Sequence, residues 1–165
     1  MLRPISLILM AMAFSTFFTA RPVHAMEPIV PVLESCILES AAYHNVPVSV
    51  ILGLMATETG VVGAISYNTN GTYDIGPMQI NSSWLPKLRK HGISERALRY
   101  NGCVNVAIGA WIIGDLLKKY PMWEAIGYYH SRTPHLSEKY KSRVYNKMKR
   151  LDPSKVVRYA NGVKQ

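Results

Sequence analysis

The chain has 165 residues, of which 48% are hydrophobic, and its formal net charge is +9. This length is enough for one compact domain with a hydrophobic core and too short for two domains that each have such a core. The positive charge favours an anionic partner (nucleic acid, acidic lipid or a cell-wall polymer), although excess lysine also serves simply to solvate a surface.

The first 25 residues have the pattern of a signal peptide. Arg3 supplies a positive n-region, Ile5–Ala20 is uncharged and apolar, and residues 23–25 form a small-x-small cleavage site. The apolar stretch has 16 residues, whereas a membrane-spanning helix needs roughly 20. We therefore expect cleavage after Ala25 and a periplasmic mature protein that begins at Met26. The alternative is an uncleaved anchor in the inner membrane, facing the periplasm.

Export changes how the charge and the cysteines are interpreted. An exported protein rarely meets nucleic acid, which leaves acidic lipid or a cell-wall polymer as the partner. Cys36 and Cys103 are the only cysteines, and in an oxidising compartment an even pair predicts a disulfide, with two buried free thiols as the alternative. No His/Cys cluster has metal-ligand spacing, so we expect neither a metal nor another cofactor.

Apolar residues recur at helical spacing through most of the mature chain. A first helix follows Pro31, and a second begins at Pro47 and runs to Glu58, where Gly60 is expected to stop it. Residues 61–76 lose this period and are rich in Asn, Gly, Ser and Thr. That composition predicts turns or a short hairpin.

The second half is predicted to be helical as well. One short helix ends at Gly92 and another is capped by Ser94. Cys103–Leu117 is apolar on almost every side, which is typical of a central buried helix. Two further helices follow Pro121 and Pro134. The predicted fold class is thus mainly α with a small β or irregular element, and the predicted core includes Ile51, Leu54, Met55, Ile108, Trp111 and Ile112.

The last predicted helix has two different faces. Its apolar stripe consists of Leu136, Tyr140, Val144, Met148 and Leu151. Its basic face consists of Lys139, Arg143, Lys147 and Arg150. Such a face is most often solvated, and contact with an anionic polymer is the alternative.

Glu58 is the candidate catalytic acid. In "VILGLMATETG" it follows an apolar run and falls within roughly 20° of Ile51 on the same helical face. Burial disfavours the ionised carboxylate, so its pKa should be raised, as a general acid near neutral pH requires. The alternative is a core glutamate that accepts hydrogen bonds from backbone N–H groups of the following loop.

Three motifs resemble the soluble lytic transglycosylase family. They are "ETG" at 58–60, "GPMQIN" at 76–81 and "YHS" at 129–131. The resemblance is closest to small members that accompany type III and type IV secretion, conjugation or pilus machines. Pro77 replaces the usual Leu of this family, and His130 stands where many members have Asn.

The resemblance implies a lysozyme-like domain over residues 26–152, followed by a tail over 153–165. It implies cleavage of the β-1,4 bond between N-acetylmuramic acid and N-acetylglucosamine in peptidoglycan glycan strands. Glu58 would act first as acid and then as base, which closes a 1,6-anhydro ring on muramic acid. Components of a secretion, conjugation or pilus apparatus are the implied protein partners.

The resemblance also implies roles for residues around the acid. Met78 and Gln79 would line the sugar subsites, and Tyr129 would hydrogen-bond near Glu58 or the substrate's N-acetyl group. His130, beside Tyr129, would belong to the same substrate site. The remaining candidates, for orienting the N-acetyl group, are Ser66 and Asn68.

Two other functions stay open on the sequence. A hydrolytic lysozyme usually needs a second carboxylate, and Asp74 is the only acid in the polar loop. We expect Asp74 to cap the backbone of its own turn. A non-catalytic module that binds the wall through its basic last helix is the third possibility.

Overall fold

The structure is a computed structural model that describes residues 29–151. The predicted signal peptide (1–25), the predicted start at Met26 and the tail (153–165) lie outside the described residues. Within 29–151, none of the helices combines the length and the apolar character needed to span a bilayer.

Two helices open the described chain. Helix α1 (Glu34–His44) ends at Asn45, which has a left-handed backbone with φ 54°. Helix α2 (Val48–Glu58) starts directly after Pro47. Proline suits a helix start because its fixed φ matches the helix and its missing N–H is not needed there.

The end of α2 differs from the prediction. Thr59, not Gly60, takes the left-handed conformation (φ 54°), and its N–H donates to the carbonyl of Met55. Gly60 is required for a different reason, because a Cβ there would lie 2.0 Å from the carbonyl oxygen of Gly76. Close approach of two backbone segments therefore explains this glycine.

A three-stranded antiparallel sheet follows α2, larger by one strand than the predicted hairpin. Its register makes Ser66 and Asp74 cross-strand partners, and likewise Asp74 and Asn81. Cross-strand partners share a face of the sheet, so these polar residues form one row. The strands, in sheet order, are β1 (Ile65–Tyr67), β2 (Tyr73–Ile75) and β3 (Ile80–Asn81).

Five helices complete the described chain. The Ser94 hydroxyl accepts a hydrogen bond from the N–H of Ala97 at 3.1 Å, so Ser94 caps its helix as predicted. A 3-10 turn (Ser82–Trp84) leads into the first of the five. The helices are α3 (Leu85–Lys90), α4 (Glu95–Tyr100), α5 (Gly102–Leu117), α6 (Met122–His130) and α7 (Pro134–Met148).

Helix α5 is central, as its apolar sequence predicted. It packs against α1, α4 and α6. A Cβ at Gly109 would lie 2.5 Å from Cε of Met78, and one at Gly114 would lie 3.0 Å from the carbonyl oxygen of His44. The two glycines thus let α1 and the segment after β2 approach α5 closely.

The predicted core is confirmed at four of its six positions: Ile51, Leu54, Ile108 and Ile112 are buried. Met55 and Trp111 are only partly buried and pack on the edge of the core. The ring of Trp111 packs edge-on against that of Trp84, with 5.6 Å between ring centroids.

The predicted disulfide is present. Cys36 and Cys103 are bonded, with 5.2 Å between their Cα atoms. The bond joins the first turn of α1 to the first turn of α5, 67 residues away.

Helix α7 buries Tyr140 and Val144 against the core. Leu136 was predicted to belong to the same buried stripe, but it is 38% exposed. It lies in the first turn of α7, where the helix borders a cleft and no longer covers the core. The overall fold is nevertheless the predicted one, a lysozyme-like, mainly α domain with a small sheet.

Candidate active site

Glu58, the last residue of α2, opens into a cleft of about 760 Å³. The small sheet forms one wall, and α6 with the start of α7 forms the other. Residues on the sheet side include Tyr67, Asn68, Asp74 and Asn81. Residues on the helical side include Tyr129, His130, Ser131 and Leu136.

The Glu58 carboxyl is half-buried and has a specific partner. The phenol of Tyr140 donates a hydrogen bond to Oε1 of Glu58. Burial raises the pKa of Glu58, and the negative charge of Asp74 adds to the rise, whereas the Tyr140 hydrogen bond and the Arg143 cation lower it. The carboxyl thus keeps its proton to a higher pH than an exposed glutamate does.

Tyr140 is a site residue that the sequence interpretation placed in the core stripe. It is buried (1% exposed), and burial raises the pKa of its phenol, so it remains a neutral donor. A buried tyrosine needs a partner for its hydroxyl, which was the available signal. The sequence could not name that partner, because Glu58 lies 82 residues earlier.

The Gly76–Asn81 segment forms the floor of the cleft around Glu58. Gly76 (φ 68°) and Gln79 (φ 47°) both have left-handed backbones. The side-chain amide of Gln79 donates to the carbonyl of Gly76 at 2.9 Å, and Gln79 lines the cleft. Pro77 stands between two turn positions, where its missing N–H costs no ladder hydrogen bond.

Met78 does not line the cleft as the resemblance implied. Its side chain is fully buried and packs on Gly109 of α5. The phenol of Tyr129 donates to the carbonyl of Met78 at 3.0 Å. Met78 therefore anchors the floor of the cleft from below.

Of the other predicted residues, four line the cleft and one does not. Tyr129, His130, Asn68 and Gln79 face it, whereas Ser66 on β1 is not among its lining residues. The ring of His130 stacks on that of Tyr140, with 4.7 Å between centroids and 7° between planes. Partial burial and the nearby Arg143 lower the pKa of His130.

Asp74 does not cap a turn, so that prediction was wrong. It lies in β2, and its two carboxylate oxygens accept hydrogen bonds from the side-chain amides of Asn68 at 3.0 Å and Asn81 at 2.8 Å. The antiparallel register places Asn81 beside it. Asp74 is therefore an oriented carboxylate in the cleft that holds Glu58.

Asn105 of α5 also supports the site, and sequence reasoning missed it. It is fully buried; its Oδ1 accepts from the N–H of Met78 at 2.8 Å, and its Nδ2 donates to the carbonyls of Ile75 and Leu98. The signal was a single amide within an otherwise apolar run, "CVNVAIGAWIIG". A buried amide persists only where its hydrogen bonds are made.

The arrangement supplies one carboxyl that has a raised pKa and accepts a hydrogen bond from a phenol, and one carboxylate whose oxygens accept hydrogen bonds from two amides. Both border the same cleft. No group of three or more metal-ligating side chains occurs among residues 29–151. The site is suited to proton transfer on a bound polymer.

Known proteins share this sequence pattern. A family model described as Transglycosylase SLT domain matches residues 35–153. The invasion protein IagB of Salmonella typhi is 32% identical over 122 residues, which cover 70% of this chain and 76% of that protein. Protein IpgF of Shigella flexneri is 31% identical over 114 residues, covering 66% and 75%, respectively.

The family match over residues 35–153 includes the helices and the sheet that form the cleft. It agrees with the resemblance seen in the three motifs of the sequence. The chain therefore belongs to the transglycosylase SLT domain family.

Proposed function

We propose that the protein is a lytic transglycosylase that cleaves the β-1,4 bond between N-acetylmuramic acid and N-acetylglucosamine in peptidoglycan. The observation that carries this proposal is the half-buried Glu58 carboxyl, which opens into the cleft with a raised pKa. Membership of the family supports peptidoglycan as the substrate.

The proposed reaction uses one carboxyl twice. Glu58 donates its proton to the glycosidic oxygen, the bond to C1 of muramic acid breaks, and the substrate's own N-acetyl group stabilises the cation. The Glu58 carboxylate then accepts the proton of the muramic 6-hydroxyl, whose oxygen bonds to C1. This hydroxyl is tethered close to C1, which gives it a high effective concentration, and no water is consumed.

The neighbours of Glu58 support both halves of this reaction. Once Glu58 has lost its proton, the hydrogen bond from Tyr140 and the charge of Arg143 stabilise the carboxylate. The polar groups of Gln79, Asn68 and His130 face the cleft, where they are placed to bind sugar hydroxyl and N-acetyl groups.

Two measurements test the proposal. Mass spectrometry of released muropeptides should show 1,6-anhydromuramic ends, which are one water lighter than hydrolytic products. Glu58→Gln should fold and lose about 10²-fold or more of the activity, since proton transfer is removed while shape is kept. Glu39→Gln, the same change at an exposed position of α1, is the control. A Glu58→Gln variant that keeps more than a few per cent of wild-type activity contradicts the assignment.

Asp74 favours a second candidate function, hydrolysis by a lysozyme-type mechanism. A retaining hydrolase uses a second carboxylate as nucleophile or stabiliser of the cation. Asp74 lines the Glu58 cleft, and hydrogen bonds from the Asn68 and Asn81 amides fix the orientation of its carboxylate.

Product analysis of Asp74→Asn separates the two functions. Under the transglycosylase proposal, wild-type products are anhydro and Asp74→Asn lowers their rate without changing their kind. Under the hydrolytic alternative, the wild type releases products that are one water heavier than the anhydro form. The Asp74→Asn variant then releases no products. Asn81→Ala, which removes one amide donor to Asp74, should shift the rate in the same direction but less.

The cellular setting is proposed on the sequence. The leader pattern of residues 1–25 supports export to the periplasm, where peptidoglycan lies. Resemblance to the small specialised branch supports local opening of the wall for a secretion, conjugation or pilus machine. One relative is itself named an invasion protein.

A further inference from the structure

Helix α7 carries a row of cations of which the proposed reaction uses only Arg143. The basic row consists of Lys139, Arg143, Lys147 and Arg150, all of them exposed. The three on α7 itself follow one another at four-residue spacing. They therefore lie within roughly 80° of one another, about 6 Å apart along the axis.

Ion pairs do not neutralise the basic row, although Arg143 also lies close enough to the Glu58 carboxyl to lower its pKa. The single acid within α7, Glu138, pairs with Lys141. In the part of the chain that the structure describes, no carboxylate lies within 4.0 Å of a cation of the row. The row thus presents net positive charge to solvent, which attracts anions over a distance of about 10 Å at moderate salt.

The basic row starts at the edge of the active-site cleft. Leu136, which lines the cleft, lies one turn before Lys139 and about 60° from it around the helix. Arg143 donates through Nη2 to the carbonyl of Thr57 at 3.0 Å, next to Glu58. A polymer in the cleft therefore passes close to the start of the row.

We propose that the basic row binds the carboxylates of the peptides that muramic acid residues carry. This inference rests on the proposed function, since it concerns the same substrate. The glycan backbone is uncharged, whereas the peptides on it bear free carboxylates along the strand. Lysine and arginine spaced by a helical turn bind such carboxylates as separate point contacts.

The surroundings of the row favour a hydrated polymer over a membrane. A helix that lies on a lipid surface inserts apolar side chains beside its cations. The positions beyond the row on its outer side are His135, Ser142 and Asn146, all polar and exposed. The exposed apolar residue beside the row, Leu136, borders the cleft, so the outer side of the row offers no apolar side chain for insertion into a bilayer.

Binding to insoluble peptidoglycan tests the inference. The Glu58→Gln protein is used so that the ligand is not consumed. Lys139→Gln/Lys147→Gln is compared in that background with Lys90→Gln/Lys119→Gln, which removes the same charge from exposed positions outside the cleft. The matched ligand is the same peptidoglycan after carbodiimide coupling to ammonia, which converts its carboxylates into neutral amides.

We expect the α7 double variant to bind native peptidoglycan about three- to tenfold more weakly than its parent, the size of two exposed ion pairs. On amidated peptidoglycan the two proteins should bind equally, and the Lys90/Lys119 control should match the parent on both. An equal loss on both ligands, or no loss on either, overturns the inference. So does a loss confined to vesicles containing 30% phosphatidylglycerol, which would make the row a lipid-binding surface.

This experiment is independent of the proposed reaction. If wild-type protein releases no muropeptides while the carboxylate-dependent binding is present, the proposed function fails and the basic row stands as a wall-binding surface. If anhydro products form while the binding difference is absent, the inference about the row fails alone.

Discussion

Glu58 is held at the boundary between the core and the cleft, and its chemistry follows from that position. Burial raises the pKa of its carboxyl, while the Tyr140 phenol and the Arg143 cation oppose the rise. A fully buried acid would not give up its proton, and an exposed one would not keep it. The opposing influences suit a group that must do both in turn.

Tyr140→Phe isolates the phenol at the residue scale. Phenylalanine keeps the ring that stacks with His130 and removes the hydroxyl. We expect about tenfold lower activity, since a hydrogen bond to a charged group is worth about 1.5 kcal/mol. Loss of this hydrogen bond also raises the pKa of Glu58. The high-pH limb of kcat/KM should therefore move to higher pH.

The control for this prediction is Tyr145→Phe, on the exposed side of α7. Its pH profile should match that of the wild type. A Tyr140→Phe profile whose high-pH limb stays in place or moves to lower pH contradicts the assigned hydrogen bond.

Glu58→Gln should also change stability with pH. The folded-state pKa of Glu58 is raised, so folding opposes its ionisation. The contribution of Glu58 to stability is therefore fully present below its unfolded-state pKa of about 4.3 and is lost as the pH rises through the folded-state value. Glutamine does not titrate, so the variant should gain stability relative to wild type over that window.

Urea unfolding at pH 4 and pH 7.5 checks this. Each tenfold decrease in the acid dissociation constant of Glu58 on folding corresponds to about 1.4 kcal/mol of the free energy of unfolding. The exposed Glu39→Gln variant on α1 should show no comparable gain. If the stability difference between Glu58→Gln and wild type does not grow between the two pH values, the carboxyl is not destabilised by folding.

At the scale of elements, Asn105 joins the central helix to the sheet and the cleft floor. One amide side chain satisfies backbone groups of Ile75, Met78 and Leu98. These groups are buried where three elements meet, so no water replaces the amide readily. The geometry of the Gly76–Asn81 segment depends on this contact.

Asn105→Ala should lower the free energy of unfolding by about 3 kcal/mol, because it leaves buried polar groups without partners. Activity should fall as well, since the floor beneath Glu58 loses its support. Asn146→Ala on the exposed face of α7 is the matched control and should be close to neutral. Equal thermal midpoints for the two variants would remove Asn105 from the supporting structure.

At the scale of the whole molecule, the disulfide ties the first helix to the central one. Cys36→Ala/Cys103→Ala should lower the free energy of unfolding by roughly 2–4 kcal/mol, since the bond closes a long loop. Adding a reductant should destabilise the wild type to a similar extent and leave the double variant unchanged. A wild-type midpoint that is insensitive to reductant, with its thiols shown to be free, contradicts this contribution.

The amino-acid sequence alone was sufficient to predict the helical architecture and to single out Glu58 as the candidate acid. Helical periodicity predicted the order of the helices and the central position of α5, because burial selects apolar residues at that spacing. Glu58 was singled out because a carboxylate on the apolar face of a helix costs free energy unless it is paired, protonated or open to a cavity. The two cysteines and the motifs of the family were equally local signals.

The groups that contact Glu58 and Asp74 are set by tertiary packing. Tyr140 reaches Glu58 across 82 residues of sequence, Asp74 receives its amides from strand pairing, and Met78 points into the core. Leu136 and Ser66 likewise lie in environments that differ from the predicted ones: Leu136 is exposed at the cleft, and Ser66 does not line it. Periodicity specifies which face of an element is apolar, but the direction of one side chain at an element's end depends on what packs against it. Those ends are where the cleft is built.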